Sequence, residues 1–170
     1  MLMNEAKNLL LANHIEFQEQ AYKNETAFLC NLDYLCPIGR PCAVAALTIP
    51  CKNGHKNISL QFNEEDDCFR FEELWFGDFS FELFDLNEEA LPDKLLRTIA
   101  DILEGKIVVI TAQNLKNRRW LWDGYFYKDD TWYEKRLQRI EKPNDFWARL
   151  LHSQTKYETF DYYDYRCITK

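Results

Sequence analysis

Asn57-Ile58-Ser59-Leu60-Gln61-Phe62-Asn63 alternates polar and apolar side chains without a break. Ile58, Leu60 and Phe62 point one way, and Asn57, Ser59, Gln61 and Asn63 the other. That is the period-two pattern of a strand with one buried and one wet face. The rhythm returns in Phe69 and Phe71, set against Cys68, Arg70 and Glu72, and again in Phe79, Phe81 and Leu83, set against Asp78, Ser80 and Glu82. Three such segments in succession predict antiparallel strands over a core, with the second face solvated.

Upstream, Cys42 to Ile49 is an unbroken run of mostly small apolar residues ending at Pro50, which reads as a buried strand. Lys52-Asn53-Gly54 supplies the turn that follows, because Asn-Gly tolerates positive φ. Residues 24–40 read as irregular, with Pro37, Gly39 and the anchors Phe28, Leu32 and Tyr34. Residues 4–20 read as an amphipathic helix, with Leu9, Leu10, Ala12 and Phe17 on the apolar side.

Downstream, Leu95, Leu96, Ile99, Ile102 and Leu103 form the stripe of a helix over 92–104. Pro92 and Asp93 suit its first turn and Gly105 its left-handed end. A buried strand follows from Lys106 to Thr111. Arg118 to Trp122 and Tyr125 to Lys128 then read as a hairpin turning at Asp123-Gly124. Residues 130–141 and 144–153 read as short helices broken at Pro143, the second anchored by Phe146, Trp147, Leu150 and Leu151. Tyr157 to Cys167 adds a last strand. The expected fold is therefore α+β in a single domain over 1–170. A mainly antiparallel sheet is flanked by an N-terminal helix, one central helix and short C-terminal helices. The irregular order of strands and helices argues against a doubly wound nucleotide-binding fold.

Charge is divided unevenly along the chain. Residues 64–104 hold fourteen of the twenty-eight acids and only three basic residues, a net charge of −11, against 0 for residues 1–63 and +4 for 105–170. The acids fall on predicted strands and their loops, so they form a fixed surface rather than a tail. Such a surface attracts a basic partner and repels nucleic acid. With 46% hydrophobic and 15% aromatic residues, the chain is too apolar for disorder. No apolar run is long enough to span a bilayer, and Met1 to Gln20 lacks the basic start of a signal peptide. A cytoplasmic protein is expected, with the six cysteines reduced rather than paired.

Chemistry is harder to find. Gly39, Gly54, Gly77, Gly105 and Gly124 are isolated, so no phosphate-binding loop is expected. Cys51 and His55 are spaced like half of a zinc site, but no second half matches and the pair reads as a turn. No metal or cofactor is expected. Ser59, Ser80 and Ser153 lie in no nucleophile-elbow pattern, and no local signature pairs a cysteine with a base. Trp120, Trp122, Tyr125 and Tyr127, near Lys116, Arg118 and Arg119, admit two readings: a stacking platform for sugars or bases, or cross-strand packing in a hairpin. The overall negative charge favours packing. Trp75 and Phe76, between Glu73 and Gly77 in a predicted loop, admit two readings: an aromatic anchor inside a charged rim, or rings folded back into the core.

The block from Cys42 through Ile110 contains the small-apolar strand, Asn57 to Phe62, Phe79-Ser80-Phe81-Glu82-Leu83-Phe84, and Leu95 to Lys106. It resembles small acidic immunity proteins of bacterial contact-dependent inhibition and related polymorphic toxin systems. The resemblance implies a cytoplasmic, non-enzymatic domain that binds and neutralises one cognate toxin domain, often a nuclease. It transfers no site residues. On charge and aromatic content, the expected partner surface comprises Glu64, Glu65, Asp66, Asp67, Glu72, Glu73, Trp75, Phe76, Asp78, Glu82, Asp85, Glu88 and Glu89. The expected partner is a basic protein toxin domain, with no nucleic acid and no membrane. An adaptor or nucleic-acid mimic, and a small hydrolase using cysteine or carboxylate chemistry, are the alternatives.

Overall fold

The computed structural model describes residues 1–22, 44–65, 68–81, 83, 89–142 and 154–169. Its α+β architecture is built on two antiparallel sheets. The chain divides into two compact units, each discontinuous in sequence: residues 1–50, 57–75 and 80–96 form the first, and residues 51–56, 76–79 and 97–170 the second.

The first unit is organised by the strands of the five-stranded sheet, in the order β1-β2-β3-β4-β5: Gln18–Tyr22, Val44–Pro50, Asn57–Glu65, Cys68–Phe76 and Phe79–Phe81. Ala45 lies opposite Phe62, Leu47 opposite Leu60 and Ile49 opposite Ile58. All six are buried. The alternation at 57–63 therefore sets the register, because a slip of one residue would turn Ile58, Leu60 and Phe62 out to water. The helix α1, Met3–Ala12, buries Met3, Ala6 and Leu10. It is tied to β1 by a 2.7 Å ion pair between Lys7 and Glu19. The Phe71 N–H donates to the Met1 carbonyl at 2.9 Å, fixing the N-terminus to β4.

The expected helix over 4–20 is thus shorter than its apolar pattern suggested. Asn13 N–H bonds back to Leu10, His14 N–H to Leu11, and His14 takes a left-handed φ of 56°. These bonds cap the last turn, and the chain continues as β1, paired along β2 from Gln18↔Thr48 to Tyr22↔Val44.

The second unit holds a four-stranded sheet in the order β7-β6-β8-β9: β6 Ile107–Asn114, β7 Trp120–Tyr127, β8 Thr155–Phe160 and β9 Tyr165–Thr169. Ile107 to Ala112 are buried without alternation, as befits an interior strand covered on both faces. On one face Ile110, Ala112, Tyr157 and Ile140 cluster with Trp122, Phe126, Tyr133 and Ile168. Ile140 and Tyr133 come from α3, Thr131–Glu141. The helix α2, Leu91–Leu103, has residues in both units and buries Leu95, Ile99 and Ile102. It ends at Gly105, φ 69°, as its sequence predicts.

One expected turn is replaced. Asp123-Gly124 lies inside β7, with Asp123 opposite Thr111 and Gly124 opposite Ile110. The connection is made earlier, by residues 115–119, where the Asn114 side chain accepts from the Lys116 and Asn117 N–H groups. The expected tail strand becomes the β8–β9 hairpin. The expected irregular segment 24–40 and helix 144–153 lie outside the described residues. Among the described residues, no helix is long and apolar enough to cross a membrane.

Candidate functional site

The acidic stretch was expected to present one outward surface, and the structure sorts its members. In the first unit, Glu64 and Glu65 end β3. Their side chains, together with Asp66, Asp67, Glu82, Asp85 and Glu88, lie outside the described residues. Glu72 is half-buried on β4 and accepts a 2.9 Å bond from Asn63 Nδ2. Glu73 is buried and accepts from the Ser80 hydroxyl across to β5. Trp75 is half-buried, and its indole N–H is enclosed with no hydrogen-bond partner among the described residues, as is the side-chain carbonyl of Gln61. Glu89 is exposed, in the turn that leads into α2.

Phe76 and Asp78 belong to the second unit. Phe76 is 0% exposed, in edge-to-face contact with Phe160 at 5.1 Å. The predicted loop at Trp75-Phe76 is instead the end of β4, and Phe76 continues the inward-facing series of that strand. It is a core residue, not an exposed anchor. Asp78 is exposed and paired with Lys56.

A second charged group, which the sequence reading did not assemble, lies in the second unit. Lys56 Nζ is 3.0 Å from Glu158 and also pairs with Asp78. Lys156 pairs with the other oxygen of Glu158, and the Tyr165 hydroxyl donates to that same oxygen at 3.0 Å. The Lys56 ammonium lies over the Phe160 and Tyr165 rings. The His55 ring stacks on Tyr165 at 4.4 Å. The 51–56 loop is held in place by Asn53. Its side chain accepts from the His55 and Lys56 N–H groups and donates to the Asp161 carbonyl, while its N–H donates to the Tyr162 carbonyl.

Burial alone would raise the Glu158 carboxyl, but Lys156 and Lys56 outweigh it and, with Tyr165, hold it at about 2. Burial alone would lower Lys56, yet Asp78 and Glu158 overcome that and its pKa is raised. Both groups stay charged across the neutral range. An acid–base catalyst is most effective with a pKa near the working pH, so this pair has the properties of a clamp. Within it only the Lys156–Glu158 spacing of two on one strand is a sequence signal; Lys56 and Asp78 come from a loop and a turn distant in the chain.

The candidate zinc half-site also resolves into structure. Cys51 is buried and His55 is engaged with Tyr165. Among the described residues, no three His, Cys, Asp or Glu side chains are grouped to hold a metal. Of the other described cysteines, Cys68 and Cys167 are exposed thiols.

The aromatic cluster for which packing was favoured over a stacking platform is split by the pleat of β7. Trp122 faces the core cluster, with the Arg136 guanidinium 4.6 Å above its ring. Trp120, Leu121, Tyr125 and Tyr127 are exposed. Tyr125 packs on Phe79 at 5.6 Å, and the Tyr127 hydroxyl donates to Asp101. No protein-family model, no curated protein and no solved structure matches this chain.

Proposed function

We propose that this chain is a non-enzymatic binding protein of the immunity type, which captures a basic toxin domain through the acidic surface of its first unit. The observation that carries the reading is the partition of charge. The ranges forming the first unit hold sixteen acidic and five basic residues; those forming the second hold twelve acidic and sixteen basic. A net −11 confined to one folded unit is more than solubility requires and sets a strong local field. A nuclease groove built to hold phosphates offers the complementary field, which speeds encounter and excludes other partners. Of the acids assigned to this surface, Glu72 is half-buried and Glu89 exposed; Glu64 and Glu65 are assigned to it by their charge and sequence position alone. Glu73 and Phe76 are excluded from it, because both are turned inward.

The test is capture of the partner by the tagged chain at moderate salt, followed by quantitative binding to the recovered domain. Replacing Glu64, Glu65 and Glu89 together by Lys is expected to weaken binding roughly 100-fold or more with unchanged folding. A captured partner that is a basic, growth-inhibiting domain released by rising salt supports the reading. Wild-type affinity in the triple variant, or a partner of acidic charge, overturns it.

A further inference from the structure

We infer that the outward face of α3 binds single-stranded nucleic acid, with Trp132 stacking on a base while Lys135, Arg136 and Arg139 meet the phosphates. At 3.6 residues per turn, Lys135, Arg139, Trp132 and Arg136 fall, in that order, within an arc of about 100°. Ile140, Tyr133 and Leu137 occupy the next arc, and the acids of the helix, Glu134 and Glu141, lie beyond them. Burial follows the same division. Ile140 is buried, Tyr133 and Leu137 are half-buried, and all four members of the basic arc are exposed. Ile140 and Tyr133 pack in the cluster on the four-stranded sheet, so the basic arc is the side turned away from that cluster.

The arc joins two chemistries. Trp132 is 65% exposed even with the Lys135 ammonium 5.3 Å from its ring centre. It lies between Arg139 and Arg136 on the wheel, so a ring stacked on it would be flanked by guanidinium groups. The Arg136 guanidinium is also held, 4.6 Å from the Trp122 ring. Among the described residues, no carboxylate pairs with Lys135, Arg136 or Arg139. Lys142 follows at the C-cap. Arg166 of β9 is exposed on the sheet face that carries Ile168, a member of the same cluster, and its charge reaches the Tyr133 hydroxyl. A base in the last turn of a helix complements the helix dipole, but Lys135 and Arg136 stand at mid-helix, where that effect has faded.

Single-stranded nucleic acid is the anion that uses both parts. Cations track its backbone, and every base offers a π-face to an aromatic ring. A lipid surface fits less well, because the apolar side of α3 is turned into the cluster and leaves only Trp132 to enter a bilayer. An acidic protein would satisfy the cations and offer nothing to stack. The expectation of no nucleic acid followed from the charge of the whole chain, −7. Exposed charges are largely screened beyond about 8 Å at physiological ionic strength, and the second unit by itself carries +4. The inference is independent of the acidic surface of the first unit.

The test is binding of the full chain to a labelled oligouridylate of roughly 12 nucleotides, followed by fluorescence anisotropy. Salt is varied between about 0.05 and 0.2 M. Three phosphate contacts on a single strand predict a slope of about −2 in log affinity against log salt. Replacing Lys135 and Arg139 together by Gln should flatten it to about −0.7. Trp132→Ala should weaken binding roughly 5- to 100-fold at every salt and leave the slope unchanged, while Trp132→Phe keeps most of the affinity. Glu134→Gln, on the far side of the helix, should change little. No binding at the lowest salt, or wild-type affinity in Trp132→Ala, overturns the inference. Equal affinity for polyglutamate or for phosphatidylserine vesicles assigns the arc to a protein or a lipid surface and overturns it as well.

Discussion

Glu158 sits between two lysines with only 11% of its side chain exposed. Its folded pKa of about 2 lies below its ordinary value of 4.5, so its contribution to stability is complete above pH 4.5 and is lost as the pH falls toward 2. Lys156 is a third exposed and screens the pair, so we expect about 1–2 kcal/mol rather than the full linkage value. Urea unfolding of the wild type and of Glu158→Gln should therefore differ at pH 7, and the difference should shrink below pH 4.5 and close only as the pH falls to about 2. Parallel curves over that range would show that the carboxylate is not held by its lysines. Lys56, raised above its ordinary 10.5, adds a change only in the alkaline range. Little of this was legible in the sequence, where Lys156 and Glu158 are two residues apart but Lys56 and Asp78 lie far from them. Phe76 was misjudged for a simpler reason: a run of acids before it and a glycine after it look like a loop, but β4 continues inward for one more residue.

At the scale of elements, local signals succeeded where nothing competed with them. The stripe of α2 and its glycine stop were readable because helix caps act within one turn. Asp130 is the same kind of signal for α3. Its carboxylate accepts from the Trp132 N–H at 2.8 Å, satisfying one of the free donors of the first turn. Asp130→Ala should cost about 1 kcal/mol in urea unfolding, and Asp130→Asn well under half of that. Equal losses would assign the effect to charge instead of capping. Asp123-Gly124 shows the opposite outcome. Asp-Gly has the chemistry of a hairpin turn, yet the pairing of Thr111 with Asp123 and Ile110 with Gly124 keeps it in the strand. Tertiary pairing overrode the local preference. The same competition shortened the first helix, since the residues after His14 gain a full strand pairing with β2.

At the scale of the whole molecule, the α+β class followed from periodicity, because apolar alternation and helical stripes report which face is buried. The division into two compact units was not readable, since each gathers segments that are distant in the chain. The charge imbalance was readable, and it has a consequence for each unit taken alone. The first unit carries a net −11, whose self-repulsion opposes its compact state; the second carries +4. Added salt screens this repulsion, with the Debye length falling from about 30 Å at 0.01 M to about 10 Å at 0.1 M. Raising salt across that range should therefore stabilise β2 and β3 by roughly 0.5–1 kcal/mol in amide hydrogen exchange. It should leave β6 and β8 nearly unchanged, because acids and bases are close to balanced in their unit. Sodium chloride is the right probe, since sulfate would strengthen burial in both units alike. If exchange slowed equally in both sheets, the first unit's charge would be dispersed too widely to act as a local field, and the case for an electrostatically recruited partner would fall with it.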